Sequence, residues 1–460
     1  MYRDREYEYD VIIVGLGAGG VGAAVELAGS GLKTAVIERS ARAGGTMVVS
    51  GVSVFESSVS VGAVARLIAG RLMEKGQGRV QRSLPTREGD RFGMSVDCAG
   101  SYDSTLRDEG ALGPTEVRRF AFDDEAMERE IRALLDSENV TLLLGHTLTD
   151  AEVKDRVIRG ITVFDGKTAK KLRARLYLDC TGNAALAKLC GCQTTMGQES
   201  KSKYNEPSAP LKSTGKINGV TLIFKVSKGG EELLPPPAIA DVDISAWENQ
   251  ALFRNDVWFC TFALPNGDMS INMCPTMPGK EYYSMTPTQA YEVCAARVFA
   301  FWRYIKGDER FKGYKLKQLF PALGIREEER IVGSFVLTQK DVFTRFEDSP
   351  LRDAFVAYSD HMIDTHGCDE PPVKLTHPFG IPYACMLPQE IDNMLVASKG
   401  ASFSYLAASS CRLSRTVMDM GEAAARACKQ AISQGIDLRQ VKIGVPFLEG
   451  YESIGVNKIS

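Results

Sequence analysis

An α/β fold is what the sequence predicts, and three observations predict it. Residues 10–38 read as strand, glycine-rich turn, helix, second strand and terminal acid. Residues 173–182 read as another strand that runs into a glycine stop, and residues 394–435 as a strand, a loop and a long helix. Between the last two, residues 197–375 break that pattern with strands and a hairpin. We therefore expect a discontinuous Rossmann-like dinucleotide-binding domain, built from residues 1–196 and 376–460, with an α+β substrate domain inserted at 197–375.

The first unit carries the most chemistry. Four apolar residues, 11–14, meet Gly15 as a buried strand meets a tight turn. Gly15, Gly17 and Gly20 complete G-x-G-x-x-G. The first glycine permits the sharp turn, the second lets a pyrophosphate approach the backbone, and the third lets the helix pack on its strand. Ala18 and Gly19 open that helix, whose N-terminal N–H groups and partial positive charge face the diphosphate. Ala23, Ala24, Leu27 and Ala28 follow at helical spacing. A second apolar run, 34–37, ends at Glu38, placed to accept hydrogen bonds from an adenosine ribose, with Arg39 beside it. A lone G-x-G-x-x-G is a weak signal; strand, glycines, helix, strand and acid in one unit are a strong one.

Composition excludes several classes. At 460 residues the chain has room for two or three domains. Apolar residues at 44% and charged residues at 25% suit a globular enzyme, and a formal net charge of −3 argues against a nucleic-acid partner. The first ten residues are charged and lack the apolar core of a signal peptide, and no run of about 18 apolar residues offers a membrane span. Eleven cysteines are scattered without a C-x-x-C pair, so reduced thiols and a cytoplasmic location are expected. Self-association into a homo-oligomer is left open.

In chain order, Gly44, Gly45 and Thr46 allow a second close backbone pass by a bulky cofactor. Residues 57–85 predict a helix ending near Gly76 or Gly78, and 86–117 a long, turn-rich segment. Asp123 and Asp124 are placed to cap a helix running to Leu135, before a strand at 140–144. Residues 152–165 and 168–178 suggest a small meander. Residues 197–216, rich in Ser, Lys and Pro, read as a linker or crossing loop. Strands follow at 220–226 and 255–274, the latter folded at Pro265-Asn266-Gly267-Asp268, then a helix at 288–304.

G-x-G-x-x-G, an acid, five residues and then Gly-Gly resembles the opening of the two-dinucleotide-binding-domain flavoproteins, relatives of the fumarate reductase and thiazole synthase-like flavoproteins. Asp179-Cys180-Thr181-Gly182 resembles their Ala-Thr-Gly motif, with Cys180 in the alanine position. GIREEERIVGSFVLTQKDV from Gly324, then SDHMIDTHG, HPFGIPYACMLP, DNMLVASKGAS and AASSCRLSRTVMDMGEAAARACKQA, resemble in order the family called simply FAD-dependent oxidoreductase. The resemblance implies a flavoprotein that binds FAD with its double glycine along the cofactor and Thr181 and Gly182 packed beside it. No histidine or cysteine lies in 44–51, so the FAD is expected to be non-covalent. The last helix would aim its N-terminus at the flavin ring. Two departures stand out: Gly421-Glu422-Ala423-Ala424-Ala425 replaces Gly-Gln-Ala-Ala-Gly, and Tyr405 stands where a histidine is common.

Only four histidines are available for proton transfer: His146, His361, His366 and His377. His146 reads as structural. His361, Asp364 and His366 cluster in a segment resembling the family, and a histidine near pKa 6.5 suits removal of a hydroxyl proton as hydride leaves. His361-x-x-Asp364-x-His366 also has the look of a metal set; the flavoprotein assignment is preferred and no metal is expected. Arg326 and Arg412 fall where the family carries arginines, each suited to a carboxylate, to the flavin N1–C2=O edge, or to an ion pair with neighbours such as Glu327 to Glu329. Tyr383 and Tyr405 are further donors. The expected function is hydride transfer between FAD and a small organic substrate, as CH–OH or CH–NH oxidation with His366 as base. The alternatives are C=C reduction or formation in a small acid, with Arg326 as the acid, and modification of a macromolecule.

Overall fold

The computed structural model of the protein describes residues 7–56, 59, 62–84, 92–105, 118–237, 239, 259–273, 275–366 and 373–443. Five strands form a parallel sheet in the order Met394–Val396, Ala174–Asp179, Tyr9–Val14, Thr34–Glu38, Val140–Leu144. Val11, Ile12 and Ile13 are fully buried, as a parallel strand covered on both faces requires. Val14 pairs with Ile37 on one side and Asp179 on the other, so three strand ends finish level. Ligands of open α/β sheets bind in the crevice beyond such carboxyl ends. The mixed α/β reading of the sequence is the architecture found.

Two helices from opposite ends of the chain, Ala18–Ala28 and Ser414–Gln434, pack against each other beside this sheet. Small residues make the crossing close: a Cβ on Gly22 would lie 2.1 Å from the Met418 carbonyl oxygen, and one on Gly421 would lie 1.9 Å from that of Gly19. Glu422 gives its departure from the family pattern a structural use. Its fully buried carboxylate accepts the backbone N–H groups of Ala63 and Val64, at 3.3 and 3.1 Å, capping the helix Ala63–Glu74 from outside. Asp123 caps Asp124–Leu135 as its spacing predicts, accepting from Glu125 and Ala126.

The second sheet has eight strands in the order Tyr314–Leu319, Phe224–Lys228, Met269–Met273, Phe259–Ala263, Phe92–Asp97, Gly78–Ser83, Arg118–Phe122, Val54–Phe55. It draws its strands from both sides of the 196/197 boundary. One face is covered by the helix Pro287–Ile305, which starts with Pro287 at N1 and a Thr286/Gln289 capping box, and closes a separate core around Phe224, Ile271, Phe301 and Trp302. A three-stranded antiparallel meander, Thr147–Lys154, Val157–Phe164 and Ala169–Leu172, stands beside the parallel sheet.

Several elements differ from expectation. The single strand expected at 220–226 is two, Val220–Thr221 and Phe224–Lys228, which pair with different partners. The long final helix is also two, Tyr405–Ser410 and Ser414–Gln434, broken at residues 411–413. Much of the turn-rich segment 86–117, and residues 255–258 and 274 of the expected hairpin, lie outside the described residues.

Candidate functional site

The glycine motif builds a cleft at the carboxyl end of the parallel sheet. Gly15 adopts φ +91°, and a Cβ there would press within 2.9 Å of the Cys180 carbonyl, so the first turn and the Cys180-Thr181-Gly182 stop pack backbone to backbone. At Gly17 a Cβ would meet no atom within 4 Å: the protein leaves that side open. Gly17 is the N-cap of Ala18–Ala28 with no side-chain cap, so the helix N–H groups remain for an anion. Gly45, at φ +53°, crosses so close that its Cβ would lie 2.6 Å from the Gly17 Cα. An open backbone at Gly17, an uncapped helix and the glycine pair 44–45 laid across it fit a dinucleotide.

The other cofactor candidates divide. Glu38 is 8% exposed and accepts backbone N–H groups from Leu16 and Ser40, both at 2.8 Å, so it also pins the phosphate turn to the second strand. Arg39 and Thr46 are exposed at the cleft. Ala18 is half-buried in the first helical turn, whereas Gly19 is buried and faces the Ala397 carbonyl. Thr181 spends its hydroxyl on structure, donating to Asp179 at 2.6 Å and accepting from Ala185 at 2.7 Å. Gly182 lies under Lys399 and Glu328, which pair at 2.9 Å.

The chemistry-bearing residues meet where three segments converge. Val220–Thr221 pairs with Gly324–Ile325, and Arg326 follows, anchored by Nη1 to the Gly219 carbonyl at 2.9 Å and Thr221 Oγ1 at 2.7 Å. The Gly219 N–H donates to the His366 carbonyl at 2.8 Å, docking the 359–366 segment on the same ladder. Ser410 donates to the His361 carbonyl, which ties that segment to the short helix preceding Arg412. Arg326 and Arg412 line one cavity together with Lys399 and Ser409. The break at 411–413, which sequence periodicity gave no sign of, is what lets Arg412 leave the helix surface.

His366 Nε2 sits 2.8 Å from Asp364 Oδ2, with side-chain exposures of 27% and 13%. Burial, then the Arg326 charge, outweigh Asp364 and lower the His366 pKa to about 4. Burial, then Arg412, do the same to His361. Burial favours protonation of Asp364, yet the charge and hydrogen bond of His366, with Arg412 and His361, hold its carboxyl below the usual range. Burial and the two guanidinium groups thus favour the neutral imidazole at both histidines. A neutral His366 that donates from Nε2 to Asp364 presents the Nδ1 lone pair as acceptor.

Other candidates stay apart. Tyr405, expected as a donor, is 1% exposed in the first core and is not among the residues lining the cavity, because its ring fills apolar space. Tyr383 donates to the Leu438 carbonyl at 2.9 Å. His146 Nδ1 lies 2.8 Å from the Leu144 carbonyl, in keeping with a structural role, and His377 Nδ1 lies 3.2 Å from that of Pro378. The acids beside Arg326 pair elsewhere: Glu327 with the buried Arg330 at 2.8 Å, Glu328 with Lys399, and Glu329 with Lys188 at 3.0 Å. Sequence reasoning missed Arg330 and Lys399, both inside segments that it quoted. Among the described residues no group of three or more His, Cys, Asp or Glu is arranged to hold a metal ion, and no helix is long and apolar enough to cross a membrane.

Comparison with known proteins gives one family. Its profile, described as FAD dependent oxidoreductase, matches residues 10–448. No curated protein matches the chain. Solved structures that resemble it include a geranylgeranyl bacteriochlorophyll reductase-like protein from Thermoplasma acidophilum, 13% identical, covering 97% of this chain and 82% of that one, TM-score 0.47. A p-nitrophenol 4-monooxygenase from Pseudomonas putida is 11% identical over 98% of this chain and 90% of its own, TM-score 0.48. A flavin-dependent brominase is 12% identical over 97% and 85%, TM-score 0.45.

Proposed function

The chain belongs to the FAD-dependent oxidoreductase family, and from that premise we propose that it oxidises a CH–OH or CH–NH group of a small organic substrate with His366 as the base. FAD, when bound, supplies the hydride acceptor; the protein supplies orientation and proton transfer. The residues of the cleft at Gly15, Gly17, Glu38 and Gly45 would hold the diphosphate and ribose.

One observation carries the reading: His366 Nε2 lies 2.8 Å from Asp364 Oδ2, which orients the ring, and burial with the charge of Arg326 favours its unprotonated form. A base must be unprotonated to act, and the arginine charge favours that form while lowering the basicity that drives proton transfer. With the Nε2–H bonded to Asp364, Nδ1 is the atom that takes the substrate proton, and the Asp364 carboxylate offsets part of what burial and Arg326 cost the imidazolium then formed. C=C reduction, the alternative, would take its proton from Arg326, whose Nη1 is already bonded to the Gly219 carbonyl and Thr221 Oγ1. The test is anaerobic mixing of the yellow holoenzyme with a panel of small alcohols, hydroxy acids and amines, following loss of the flavin band. His366→Ala should slow bleaching by any active compound roughly 10²–10⁴-fold, the usual contribution of general-base catalysis. An equal rate in the variant would remove His366 from this role.

A further inference from the structure

Two adjacent acids, Asp123 and Asp124, stand where one helix cap is needed, and only the first serves as the cap, accepting from Glu125 and Ala126. Asp124 is left with a side chain 1% exposed and two cations beside it. Its Oδ1 pairs with the ammonium of Lys225, and its Oδ2 accepts from both Arg42 Nη atoms at 3.4 Å. Lys225 belongs to the eight-stranded sheet, on the strand Phe224–Lys228. Phe224 and Val226 turn into the core under the helix Pro287–Ile305, so alternation sends Lys225 to the opposite face. A lysine buried there needs a partner of opposite charge, and Asp124 is that partner.

Both ends of the loop that carries Gly44 and Gly45 meet this pair. At one end Arg42 bonds Asp124 and, through Nε, Glu128 at 2.6 Å, while the Ala43 N–H donates to Glu128 at 3.2 Å. At the other end Gly51, at φ +78°, lies so close to Phe320 that a Cβ would come within 2.3 Å of its ring. The Lys225 ammonium stands 5.2 Å from the centre of that same ring. Ser50 adds a hydrogen bond to the Leu323 carbonyl at 3.2 Å.

We propose that Lys225 is a positioning residue for FAD. From the eight-stranded sheet it fixes Arg42 through Asp124 and Gly51 through Phe320, and so holds the double glycine in the conformation that crosses Gly17. Gly44, at φ +120°, and Gly45, at φ +53°, adopt backbone that suits glycine, yet glycine is the residue least able to hold one conformation by itself. The two anchored ends supply that restraint. The proposal concerns the cofactor cleft and does not depend on oxidation by His366.

The test titrates FAD into the apoprotein, following flavin fluorescence, with the melting temperature of the apoprotein recorded alongside. Lys225→Met alone would strand Asp124 as a buried charge, so it is combined with Asp124→Asn. This double variant is expected to bind FAD at least about tenfold more weakly, the cost of re-ordering one freed backbone residue. Arg42→Met should weaken FAD in the wild type and add little in the double variant, where its link is already gone. Wild-type affinity in the double variant would overturn the proposal and reduce the pair to a structural tie, whatever the melting temperature shows. An Arg42→Met effect as large in the double variant as in the wild type would overturn it too. Arg42→Met and Phe320→Leu keep the buried pair and so test the two arms in a folded protein; normal FAD affinity in both would refute the proposal without the double variant.

Discussion

Replacing Arg326 by glutamine should move the His366 titration upward, and this can be measured without knowing the substrate. In the native protein burial and Arg326 depress His366 to about 4, with Arg412 adding to them against Asp364. At pH 5.5 an ordinary imidazole of pKa 6.5 is about 91% protonated, whereas one at about 4 is about 3% protonated. With only four histidines in the chain, imidazole nitrogens labelled with ¹⁵N can be followed individually across pH, and His366→Asn assigns the signal. His366 is expected to stay neutral down to about pH 5, with the proton on Nε2 in the native protein, where Asp364 accepts it. Arg326→Gln removes the leading charge that opposes protonation, so the midpoint rises toward 6.5. The stability linkage has the same sign. A histidine depressed on folding contributes stability that is complete above about pH 6.5 and is lost as pH falls through about 4, because the unfolded chain binds the proton first. A native His366 titrating at 6.5, or a midpoint that falls in Arg326→Gln, would refute the electrostatic reasoning.

The remaining predictions concern the cofactor. Gly17→Ala should leave the melting temperature of the apoprotein nearly unchanged, since its Cβ meets nothing, yet weaken FAD at least about tenfold in titration by blocking backbone approach; unaltered affinity would place the diphosphate elsewhere. Gly20→Ala should instead destabilise the apoprotein itself, because the new Cβ would lie 1.9 Å from the Gly15 oxygen, and a normal apoprotein melt would contradict that contact. Glu38→Ala should cost both affinity and stability: it removes two backbone hydrogen bonds to a charged acceptor, each roughly 1.5–3 kcal/mol, and denaturant melts of the apoprotein that match wild type would disprove the second half. Acid precipitation should release the yellow colour into the supernatant; colour retained in the pellet would mean a covalent bond.

The cofactor half of the fold was legible because its signals are local. Strand, glycine spacing and terminal acid lie within thirty residues, and each glycine has one steric reason to be there. The histidine cluster was legible as a resemblance and as a short spacing. The sheet topology was not: Gly78–Ser83 and Phe92–Asp97 look like any polar strands, and only pairing with Phe259–Ala263, far along the chain, assigns them to the second sheet. The helix break at 411–413 carries no Gly or Pro to announce it. The charge environment of His366 was hidden for a related reason. Arg326 is forty residues away in sequence, and no spacing rule places its charge beside an imidazole.

One interior strand of the parallel sheet also has a biosynthetic consequence. The strand Ala174–Asp179 pairs with Tyr9–Val14 on one side and with Met394–Val396 on the other. On the ribosome, the third of these appears about 380 residues after the first. At about 5–20 residues per second that is a wait of roughly 20–80 s. Throughout it the helix Ala18–Ala28 lacks the Ser414–Gln434 partner onto which it closes. Until then the edge of Ala174–Asp179 stays unpaired, and the contact between Gly19 and the Ala397 carbonyl beside the glycine turn cannot form.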